Sequence, residues 1–519
     1  MARRDIARGR AAAAVSSSGD AWIGCSGSER RSQANSRTRA ARPNGTRHAL
    51  GPCMHSLGRR AFLLGMAGAL AACASRPGDD GPESDDSALD TSTRKKTDPI
   101  VVLGAGISGL AAARRLTERG FSNVIVIEAR ERLGGRLSTD RSLGVPFDLG
   151  GAWAHHAGSA NPIVDLLAQA NVETTKTSWD KVALYDASRG AIADAARDAA
   201  EADFEKILNR VATKIRAAHG TGPYASFLTP ELDARYTTKD DRRLAAWLRA
   251  FYIENEYAAD IGDIDATEFA DYDQISHAEN DRFVAGGYDR VIALLARGLD
   301  VRTCEACRKV TTTASGVTVV TDKARYDASA VIVTLPVGVL RSGSVTFEPG
   351  LPDDKRRAIE TLGVGDFEKV ALLFDEAFWP RDPHAFGFAS GDANDAPLLV
   401  NGVAAAGAPA IVAMFSGRAA RALSNQSDTA ARDRVLAQLK TMFGTVRAPV
   451  GVLRTRWHDD PFARGAYTYP ATATTDTDVA ALARPIDKRL YWAGEATDTK
   501  AYSYVHGAYA SGLRAANEI

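Results

Sequence analysis

The chain of 519 residues is longer than one hydrophobic core usually holds, which predicts two or three domains. Its 64 Lys and Arg residues balance 64 Asp and Glu residues, so the formal net charge is zero. A content of 45% hydrophobic and 25% charged residues is typical of a soluble globular protein. Nucleic-acid-binding proteins usually carry a basic excess or a basic stripe, so we expect no nucleic-acid partner.

The first 97 residues differ in composition from the rest of the chain. Residues 1–53 are rich in Arg, Ala, Ser and Gly without apolar periodicity, which predicts a disordered or untranslated leader. Met54 is followed by a charged segment, an apolar run over residues 61–72 and then Cys73, which is the three-part layout of a signal peptide. A permanent transmembrane helix needs roughly 20 apolar residues. We therefore expect no spanning anchor here.

Two short motifs in this segment resemble bacterial export signals. Residues 59–63 (RRAFL) resemble the twin-arginine signal, and residues 70–73 (LAAC) resemble a lipobox in which Cys73 carries the lipid. The alternative is a chance apolar stretch behind two arginines. The resemblance implies twin-arginine export of a periplasmic or cell-envelope lipoprotein, held to the membrane only by the lipid on Cys73. Residues 54–73 are then the signal, and residues 74–97 a flexible linker.

A dinucleotide-binding pattern opens the folded part of the chain. Residues 100–103 form a continuous apolar run, which predicts a buried parallel strand. The G-x-G-x-x-G sequence of residues 104–109 follows, then a helical pattern over residues 110–117. A second strand is predicted over residues 124–127 and ends at Glu128. The strand before, the helix after and the acid about 20 residues on make a dinucleotide site a specific prediction.

Each glycine of such a motif has a separate task. Gly104 makes the tight turn, Gly106 lets the backbone approach a pyrophosphate, and Gly109 lets the helix pack closely on the strand. The start of the helix supplies N–H donors and a positive dipole end for the phosphates. Glu128 accepts a hydrogen bond from a ribose hydroxyl. The motif by itself leaves open whether the nucleotide is NAD or FAD.

The sequence beyond Glu128 resembles the flavin-containing amine oxidases, a family that includes monoamine oxidases, polyamine oxidases and histone lysine demethylases. Residues 128–136 (EARERLGGR) resemble its G-G-R segment, residues 148–153 (DLGGAW) its flavin-lining loop and residues 491–497 (YWAGEAT) its final FAD strand. The resemblance covers nearly all of residues 98–519 and is nearest in motifs to the polyamine oxidases. It implies an α/β fold, with a Rossmann-like FAD-binding domain and an α+β substrate-binding domain.

The resemblance also implies which residues contact FAD. The positions that match the family's cofactor-binding motifs are Gly104, Gly106, Gly109, Glu128, Arg130, Gly135, Arg136, Gly150, Gly151, Ala152, Trp153, Cys307, Trp457, Gly494, Glu495 and Val505. Arg130 and Arg136 are cations that would neutralise the pyrophosphate. Monoamine oxidases bond the flavin covalently through a cysteine where this chain has Ala466. The resemblance therefore implies non-covalent FAD.

Four further residues are implied in the reaction. Lys369, within residues 365–370 (GDFEKV), matches the lysine that the family keeps near flavin N5 through a water. Tyr467 and Tyr504 match the two walls of an aromatic cage that guides the amine, although the two residues taken alone would be core tyrosines. His155 matches a position that accepts from a distal amine in polyamine oxidases. The implied reaction turns a primary or secondary amine, polyamine-like favoured, into an imine while O2 becomes H2O2.

Two other functions stay open at this point. An L-amino-acid oxidase, or another flavin dehydrogenase of the same fold, would share the cofactor motifs. Amino-acid oxidases tend to hold the substrate carboxylate with an arginine, whereas residues 151–155 here are GAWAH. A catalytically inert flavin-binding protein would bind FAD without oxidising an amine, which Lys369 and the two cage tyrosines argue against. The residues favour no particular oligomeric state.

The resemblance divides the folded part into alternating pieces of two domains. The FAD-binding domain is expected to consist of residues 98–159, 276–349 and 453–519, and the substrate-binding domain of residues 160–275 and 350–452. Apolar residues recur at helical spacing over residues 207–217 and 242–252, which predicts that the first substrate-domain piece is helical.

An acidic cluster follows in this piece, made of Glu254, Glu256, Asp260, Asp263 and Asp265. Such a cluster either receives a polycation or forms a solvated face. We favour the solvated face.

Cys304 and Cys307 form a lone C-x-x-C pair. This spacing is compatible with a zinc half-site, a redox pair or two core residues. Since no second pair follows and no helix start is predicted beside it, we interpret the two cysteines as chemically inert and expect no metal site.

Overall fold

The computed structural model describes residues 94–519 except residues 159–160 and 271–279. The described part forms one unit, Arg94–Ile519. The predicted leader, the predicted signal with Cys73 and most of the predicted linker lie outside the described residues. Within the described ranges, no helix is both long enough and apolar enough to cross a membrane.

A five-stranded parallel sheet lies at the centre of the dinucleotide-binding half of the molecule. Its strands, in spatial order, are Asp300–Arg302, Val124–Ile127, Ile100–Leu103, Ala330–Val333 and Leu490–Trp492. The three inner strands consist almost entirely of Val, Ile, Leu and Ala, which suits strands covered on both faces. Because all strands run the same way, their carboxyl ends meet at one edge, where such sheets bind ligands.

The first and last helices of the described chain pack against each other beside this sheet. They are Ile107–Glu118 and Val505–Glu518. Small residues allow a close approach, since a Cβ at Gly512 would lie only 2.2 Å from the carbonyl oxygen of Ser108. The hydroxyl oxygens of Ser108 and Ser511 lie 3.4 Å apart across the same contact. The middle of the C-terminal helix is thereby brought close to the start of the first helix, just after the glycine-rich loop.

A seven-stranded mixed sheet forms the second large layer. Its strands, in spatial order, are Gly451–Arg454, Phe367–Leu373, Ala410–Ser416, Leu398–Asn401, Ala385–Ala389, Val182–Asp186 and Gly190–Ala191. Lys369 lies inside the second of these strands, opposite Met414, and the lysine is buried. A surface position for this lysine is therefore excluded.

Smaller sheets complete the described fold. One joins Arg325–Ala328, Gly316–Thr321, Cys307–Thr313 and Thr346–Glu348, a second joins Trp153–Ala154, Arg282–Phe283 and Thr175–Lys176, and two pairs join Gly363–Val364 to Thr468–Tyr469 and Thr139–Asp140 to Phe147–Asp148.

Helices supply the remaining regular structure. Besides the two named above, the α-helices of the described part are Pro162–Gln169, Asp194–Ala218, Ala225–Arg235, Lys239–Arg249, Asn255–Tyr257, Asp289–Ala296, Val337–Arg341, Asp353–Thr361, Gly402–Ala406, Gly417–Ser424, Asp428–Phe443 and Asp476–Ala483. Short 3-10 helices span Ala266–Phe269 and Glu495–Thr497.

The helix predicted over residues 242–252 differs from the observed one at both ends. It begins at Lys239, because Thr238 and Asp241 form a capping box. It ends at Arg249 and continues as a π-helical turn, Ala250–Glu254. The widened turn leads into Asn255–Tyr257, so the shape of this segment decides where Glu256 lies.

Candidate active site

The loop between the strand Ile100–Leu103 and the helix Ile107–Glu118 requires glycine at two places. Gly104 has φ +105°, a conformation that side chains rarely adopt. A Cβ at Gly109 would lie 2.0 Å from the carbonyl oxygen of Gly104. The helix start therefore packs directly on the loop, and the predicted strand, turn and helix are confirmed.

Glu128 ties the end of the second strand to the same loop. One carboxylate oxygen accepts from the N–H of Ala105 and the other from the N–H of Arg130, each at 2.9 Å. The Arg130 guanidinium lies 2.6 Å from the carboxylate of Asp460. Glu128 is buried, so its charge is held by main-chain donors and a nearby arginine at the end of the strand.

One cavity of about 970 Å³ joins this loop to the seven-stranded sheet. Every predicted site residue lines it except Gly109. Gly109 was predicted to let the helix pack on the strand, and its close contact is with the carbonyl oxygen of Gly104 in the loop that follows this strand. The cavity is thus shared by the residues predicted to bind the cofactor and by those predicted to act on the substrate.

Arg136 and Glu495 lie together on the cavity wall although they are far apart in sequence. A guanidinium nitrogen of Arg136 lies 2.9 Å from Glu495 Oε1 and 2.6 Å from the carbonyl oxygen of Ala466. Glu495 also accepts from the hydroxyl of Thr468. Nearby, Trp457 Nε1 donates to a main-chain carbonyl at 3.1 Å. These contacts fix the wall beside the position where the family's covalent link would form.

Lys369 lines the cavity and forms a buried pair with Asp148, which lies behind the cavity wall. Lys369 Nζ donates to the carbonyl oxygens of Asp148, at 3.0 Å, and of Gly150. The Asp148 carboxylate accepts from the N–H of Tyr288 at 3.1 Å and from the hydroxyl of Thr139. Burial raises the pKa of Asp148 and lowers the pKa of Lys369, while the Asp148 charge opposes that lowering. A lysine of reduced proton affinity suits proton transfer near neutral pH.

Hydrogen bonds hold Tyr467 and Tyr504 in place. The Tyr467 hydroxyl donates to the carbonyl oxygen of Asn255 at 2.7 Å, and its ring centroid lies 6.0 Å from that of Phe367. The Tyr504 hydroxyl lies 2.7 Å from Glu256 Oε1. Burial raises the pKa of both tyrosines, and the Glu256 charge adds to this rise, so both stay neutral phenols. Their rings are available to contact a bound amine.

His155 is held by Asp281, a residue that the sequence did not single out. His155 Nδ1 lies 3.0 Å from Asp281 Oδ2, and the N–H of His156 donates to the other oxygen at 3.1 Å. Trp179 Nε1 also donates to Asp281 at 3.3 Å. Burial by itself lowers the pKa of His155, but the hydrogen bond and charge of Asp281 produce a net rise. No linear motif connects residues separated by 126 positions.

The prediction that the acidic cluster is a solvated face is wrong. Glu254 and Asp265 are buried, Glu254 beside Arg249 at 3.1 Å and Asp265 as the cap of a 3-10 helix. Glu256 lines the cavity. Asp260 pairs with Arg421 at 3.2 Å. The π-helical turn redistributes these acids, so that some stabilise the fold and Glu256 reaches the candidate site.

Cys307 lines the cavity beside the dinucleotide end and is buried. Burial raises the pKa of its thiol to about 12, which keeps the sulfur protonated and unreactive. Among the residues that the structure describes, no cluster of His, Cys, Asp and Glu is arranged to hold a metal ion.

Comparison with known proteins agrees with this geometry. The family model described as flavin containing amine oxidoreductase matches residues 107–519. The chain belongs to this family. Polyamine oxidase 4 of Oryza sativa subsp. japonica is 34% identical to this flavin amine oxidase over 433 residues, which are 81% of this chain and 88% of that protein. FAD-dependent amine oxidation is therefore the activity of the chain, as the sequence predicted.

Two other similar proteins are matched over different shares of their own length. Lysine-specific histone demethylase 1 homolog 2 of Arabidopsis thaliana is 32% identical over 437 residues, 81% of this chain and 58% of that protein. The structure of putrescine oxidase bound to putrescine superposes with a TM-score of 0.68 at 21% identity, and covers 81% of this chain and 98% of that chain. This likeness confirms the predicted mixed α/β fold, with a flavin-binding and a substrate-binding domain.

The residues of the cavity fit FAD. A Cβ added at Gly106 would lie 3.9 Å from its nearest neighbour, so bare backbone faces the cavity where the helix begins. The N–H groups and positive dipole end at such a point favour a pyrophosphate. Arg130 and Arg136 add two guanidiniums to the same cavity. Its volume, about 970 Å³, is large for a ligand pocket and leaves room for a substrate beside the cofactor.

Proposed function

We propose that the enzyme oxidises a primary or secondary amine of the polyamine class. The observation that carries this proposal is the Tyr504 ring, which lines the cavity with its hydroxyl 2.7 Å from the carboxylate of Glu256. An electron-rich ring beside a carboxylate attracts a cationic amine. Asp281 and Glu268 line the same cavity, so a substrate with more than one amino group meets more than one carboxylate. The names of the polyamine oxidase relatives support the same class.

Tyr467, Tyr504 and His155 orient the substrate in this proposal. The two tyrosines form the walls between which the carbon to be oxidised is held. His155 accepts a hydrogen bond from a distal amino group, while Asp281 fixes its ring through Nδ1 at 3.0 Å. Aromatic walls also exclude water from the reacting carbon, which strengthens every electrostatic contact there.

Lys369 holds and moves a proton at Nζ. An amine must be neutral to be oxidised, because an ammonium keeps its nitrogen lone pair in an N–H bond. Bound FAD would supply the hydride acceptor for the substrate carbon and the route for two electrons to O2, so that the amine becomes an imine and O2 becomes H2O2. Burial lowers the pKa of Lys369, so a fraction of the side chain is neutral near physiological pH and able to accept a proton.

The cofactor is held without a covalent bond in this proposal. Gly104, Gly106 and the start of the first helix would hold the pyrophosphate, and Glu128 would accept a hydrogen bond from the ribose. The remaining predicted cofactor contacts are Arg130, Gly135, Arg136, Gly150, Gly151, Ala152, Trp153, Cys307, Trp457, Gly494, Glu495 and Val505. All of these line the cavity, which supports their assignment.

The proposal also includes the domain boundaries that the family resemblance implies. The FAD-binding domain comprises residues 98–159, 276–349 and 453–519, and the substrate-binding domain comprises residues 160–275 and 350–452. Support comes from the parallel sheet, each strand of which falls within one of the three FAD-domain pieces.

Export as a lipoprotein is also proposed. The twin-arginine motif in residues 59–63 and the lipobox ending at Cys73 support export with FAD already bound, followed by anchoring of the envelope enzyme through lipid. Folded export suits a flavoprotein, because the cofactor is loaded in the cytoplasm.

Peroxide release from purified enzyme tests the substrate class. The panel is spermine, spermidine, putrescine, aryl monoamines and L-amino acids, with kcat/KM compared across it. The highest kcat/KM is expected for one of the first three. A preference for amino acids would replace the proposal with an amino-acid oxidase, and absence of turnover with every amine would indicate an inert flavin-binding protein. Glu256→Gln is expected to raise KM for spermidine more than for an aryl monoamine.

A further inference from the structure

Three histidine rings surround the ring of Tyr504. Ring centroids lie 5.4 Å from Tyr504 for His155, 5.7 Å for His156 and 5.2 Å for His506. The His506 ring is nearly parallel to that of Tyr504, at 21°, whereas the His156 ring is at 74°. We call these three residues, His155, His156 and His506, the histidine collar.

The collar is assembled from two separate parts of the fold. His155 and His156 follow the short strand Trp153–Ala154, and His156 has φ +50°. His506 lies in the first turn of Val505–Glu518, the helix that begins directly after Tyr504. His156 is exposed and the other two are half-buried, so protons reach the collar from solvent.

Acidic side chains lie around the collar. Among the described residues, the titratable and charged groups that face it are Asp281, Glu256, Asp498 and Tyr467. Asp281 is engaged by His155 and by the N–H of His156. Glu256 is engaged by the Tyr504 hydroxyl. His506 has no carboxylate at hydrogen-bond distance among the contacts of the described residues.

We propose that the histidine collar sets the affinity of the Tyr504 wall for cationic amines according to its own protonation. The proposal rests on the proposed function, in which Tyr504 contacts the substrate. A protonated His506 places a cation against the face of Tyr504, where it competes with the substrate cation for the same ring. Charges on His156 and His506 also repel a cationic amine directly. The collar therefore weakens binding when the surroundings become acidic.

The surroundings of each histidine determine the order in which the collar residues are protonated as pH falls. Burial lowers the pKa of His506, and the charges of His156 and His155 lower it further. The pKa of His155 is raised, because Asp281 outweighs the opposite effect of burial. As pH falls, His155 gains its proton first, with Asp281 as its counter-ion. His506 gains its proton at lower pH, and this charge is the less compensated one.

Binding of hexamethonium distinguishes protonation of the collar from protonation of the substrate. Its two quaternary ammonium groups keep their charge at every pH and cannot be oxidised as a neutral amine. Its Kd for the FAD-loaded enzyme is measured from the change in flavin absorbance at pH 5.5 and pH 8.5. For the wild type we expect the Kd to be at least about tenfold higher at pH 5.5, which is ~1.4 kcal/mol.

Substitutions in the collar test whether these histidines cause the pH dependence of the hexamethonium Kd. In His156→Asn/His506→Asn, the ratio of the two Kd values is expected to fall below about threefold; asparagine tolerates the backbone of His156. His506→Phe keeps an aromatic ring against Tyr504, but this ring cannot be protonated. The ratio of the Kd at pH 5.5 to the Kd at pH 8.5 should therefore also fall in this variant. A purely structural role of His506 would leave the ratio unchanged. His219→Asn is the matched control, since His219 is exposed, has φ +45° and should leave the wild-type ratio unchanged.

Each remaining outcome overturns the proposal. A double variant with the wild-type ratio assigns the pH dependence to His155, Glu256 or Asp281 and rejects the role of His156 and His506. A wild-type Kd that is equal at both pH values also rejects it, while Tyr504 stays in the substrate wall. If hexamethonium binds at neither pH, the collar and the assignment of Tyr504 to the wall are both rejected, although amine-dependent peroxide release would still identify the oxidase.

Discussion

The Nζ atom of Lys369 lies 3.0 Å from the carbonyl oxygen of Asp148. The side-chain carboxylate of the same aspartate is buried and accepts from the N–H of Tyr288. The strand that carries Lys369 is thereby joined to residues 148–150 of the cavity wall, and the charge of Asp148 acts on the proton affinity of the lysine. Asp148 thus affects both the geometry and the protonation of the proposed catalytic lysine.

Replacement of Lys369 by methionine tests its role in proton transfer. Lys369→Met keeps the length and apolar character of the buried stem but removes the amino group. We expect flavin reduction or reoxidation to slow by at least about tenfold, as loss of a positioned acid–base group commonly does. Stopped-flow absorbance of the two half-reactions measures this, with the bound FAD counted from the visible spectrum.

Lys181→Met is the control for this variant. Lys181 is on the surface, 3.1 Å from the exposed carboxylate of Asp382, and should leave both half-reactions unchanged. Lys369→Met enzyme with FAD bound and both rates unaltered would remove Lys369 from the reaction.

A neutral residue at position 148 is expected to shift the pH profile. The Asp148 carboxylate raises the pKa of Lys369, so Asp148→Asn lowers that pKa and the lysine becomes neutral at a lower pH. The inflection in the rate of flavin reduction between pH 6 and 10 should move down by about half a unit or more. Asp165→Asn removes an exposed carboxylate from a distant helix and should leave the inflection in place. An upward shift in Asp148→Asn would contradict the sign of this coupling.

Local patterns made the dinucleotide half of the molecule predictable. A run of Val, Ile and Leu, a glycine-rich turn and an acid after the next strand are set by short-range geometry, so Gly109 has the packing role expected of it. The predicted strands over residues 100–103 and 124–127 match the observed ones. Lys369, Tyr467 and Tyr504 line one cavity, as the family resemblance implied.

Contacts between distant segments were not predictable from such patterns. The pairs of Asp281 with His155 and of Glu256 with Tyr504 join residues 126 and 248 positions apart. Glu256 was grouped with four other acids as a solvated face, because sequence spacing does not reveal the π-helical turn that separates them. Tertiary packing decides which of several nearby carboxylates is buried, paired or turned towards a ligand.

A side chain at Gly109 should abolish retention of the cofactor. In Gly109→Ala the new Cβ would lie 2.0 Å from the carbonyl oxygen of Gly104, so the helix start must move away from the loop. Overpacking of this kind commonly costs about 1–3 kcal/mol and displaces the phosphate-binding N–H groups. The ratio of flavin to protein absorbance after gel filtration should fall strongly. Gly262→Ala, where no atom lies within 4 Å, should keep the wild-type ratio, and full flavin content in Gly109→Ala would contradict the predicted clash.

The flavin is expected to leave the polypeptide when the protein is denatured. Ala466 occupies the position where a cysteine would bond to the cofactor, and its methyl group cannot form that bond. Acid precipitation of the yellow protein should release intact FAD into the supernatant, identified by its absorbance and by chromatography. Flavin that remained in the washed precipitate would show a covalent link and disprove the non-covalent assignment.

Replacement of Arg59 and Arg60 by lysine is expected to trap the FAD-loaded enzyme in the cytoplasm, because the charge is kept while the paired guanidiniums are lost. Cys73→Ser should instead permit export but block lipidation and lipoprotein-specific cleavage. In a bacterial host, fractionation and N-terminal mass analysis should find wild-type enzyme that begins at Cys73 and partitions with detergent, since each buried methylene of the lipid adds about 0.8 kcal/mol of anchoring. Wild-type enzyme that kept residues 1–53 and stayed soluble in the cytoplasm would refute the export proposal and leave the amine oxidase activity untouched.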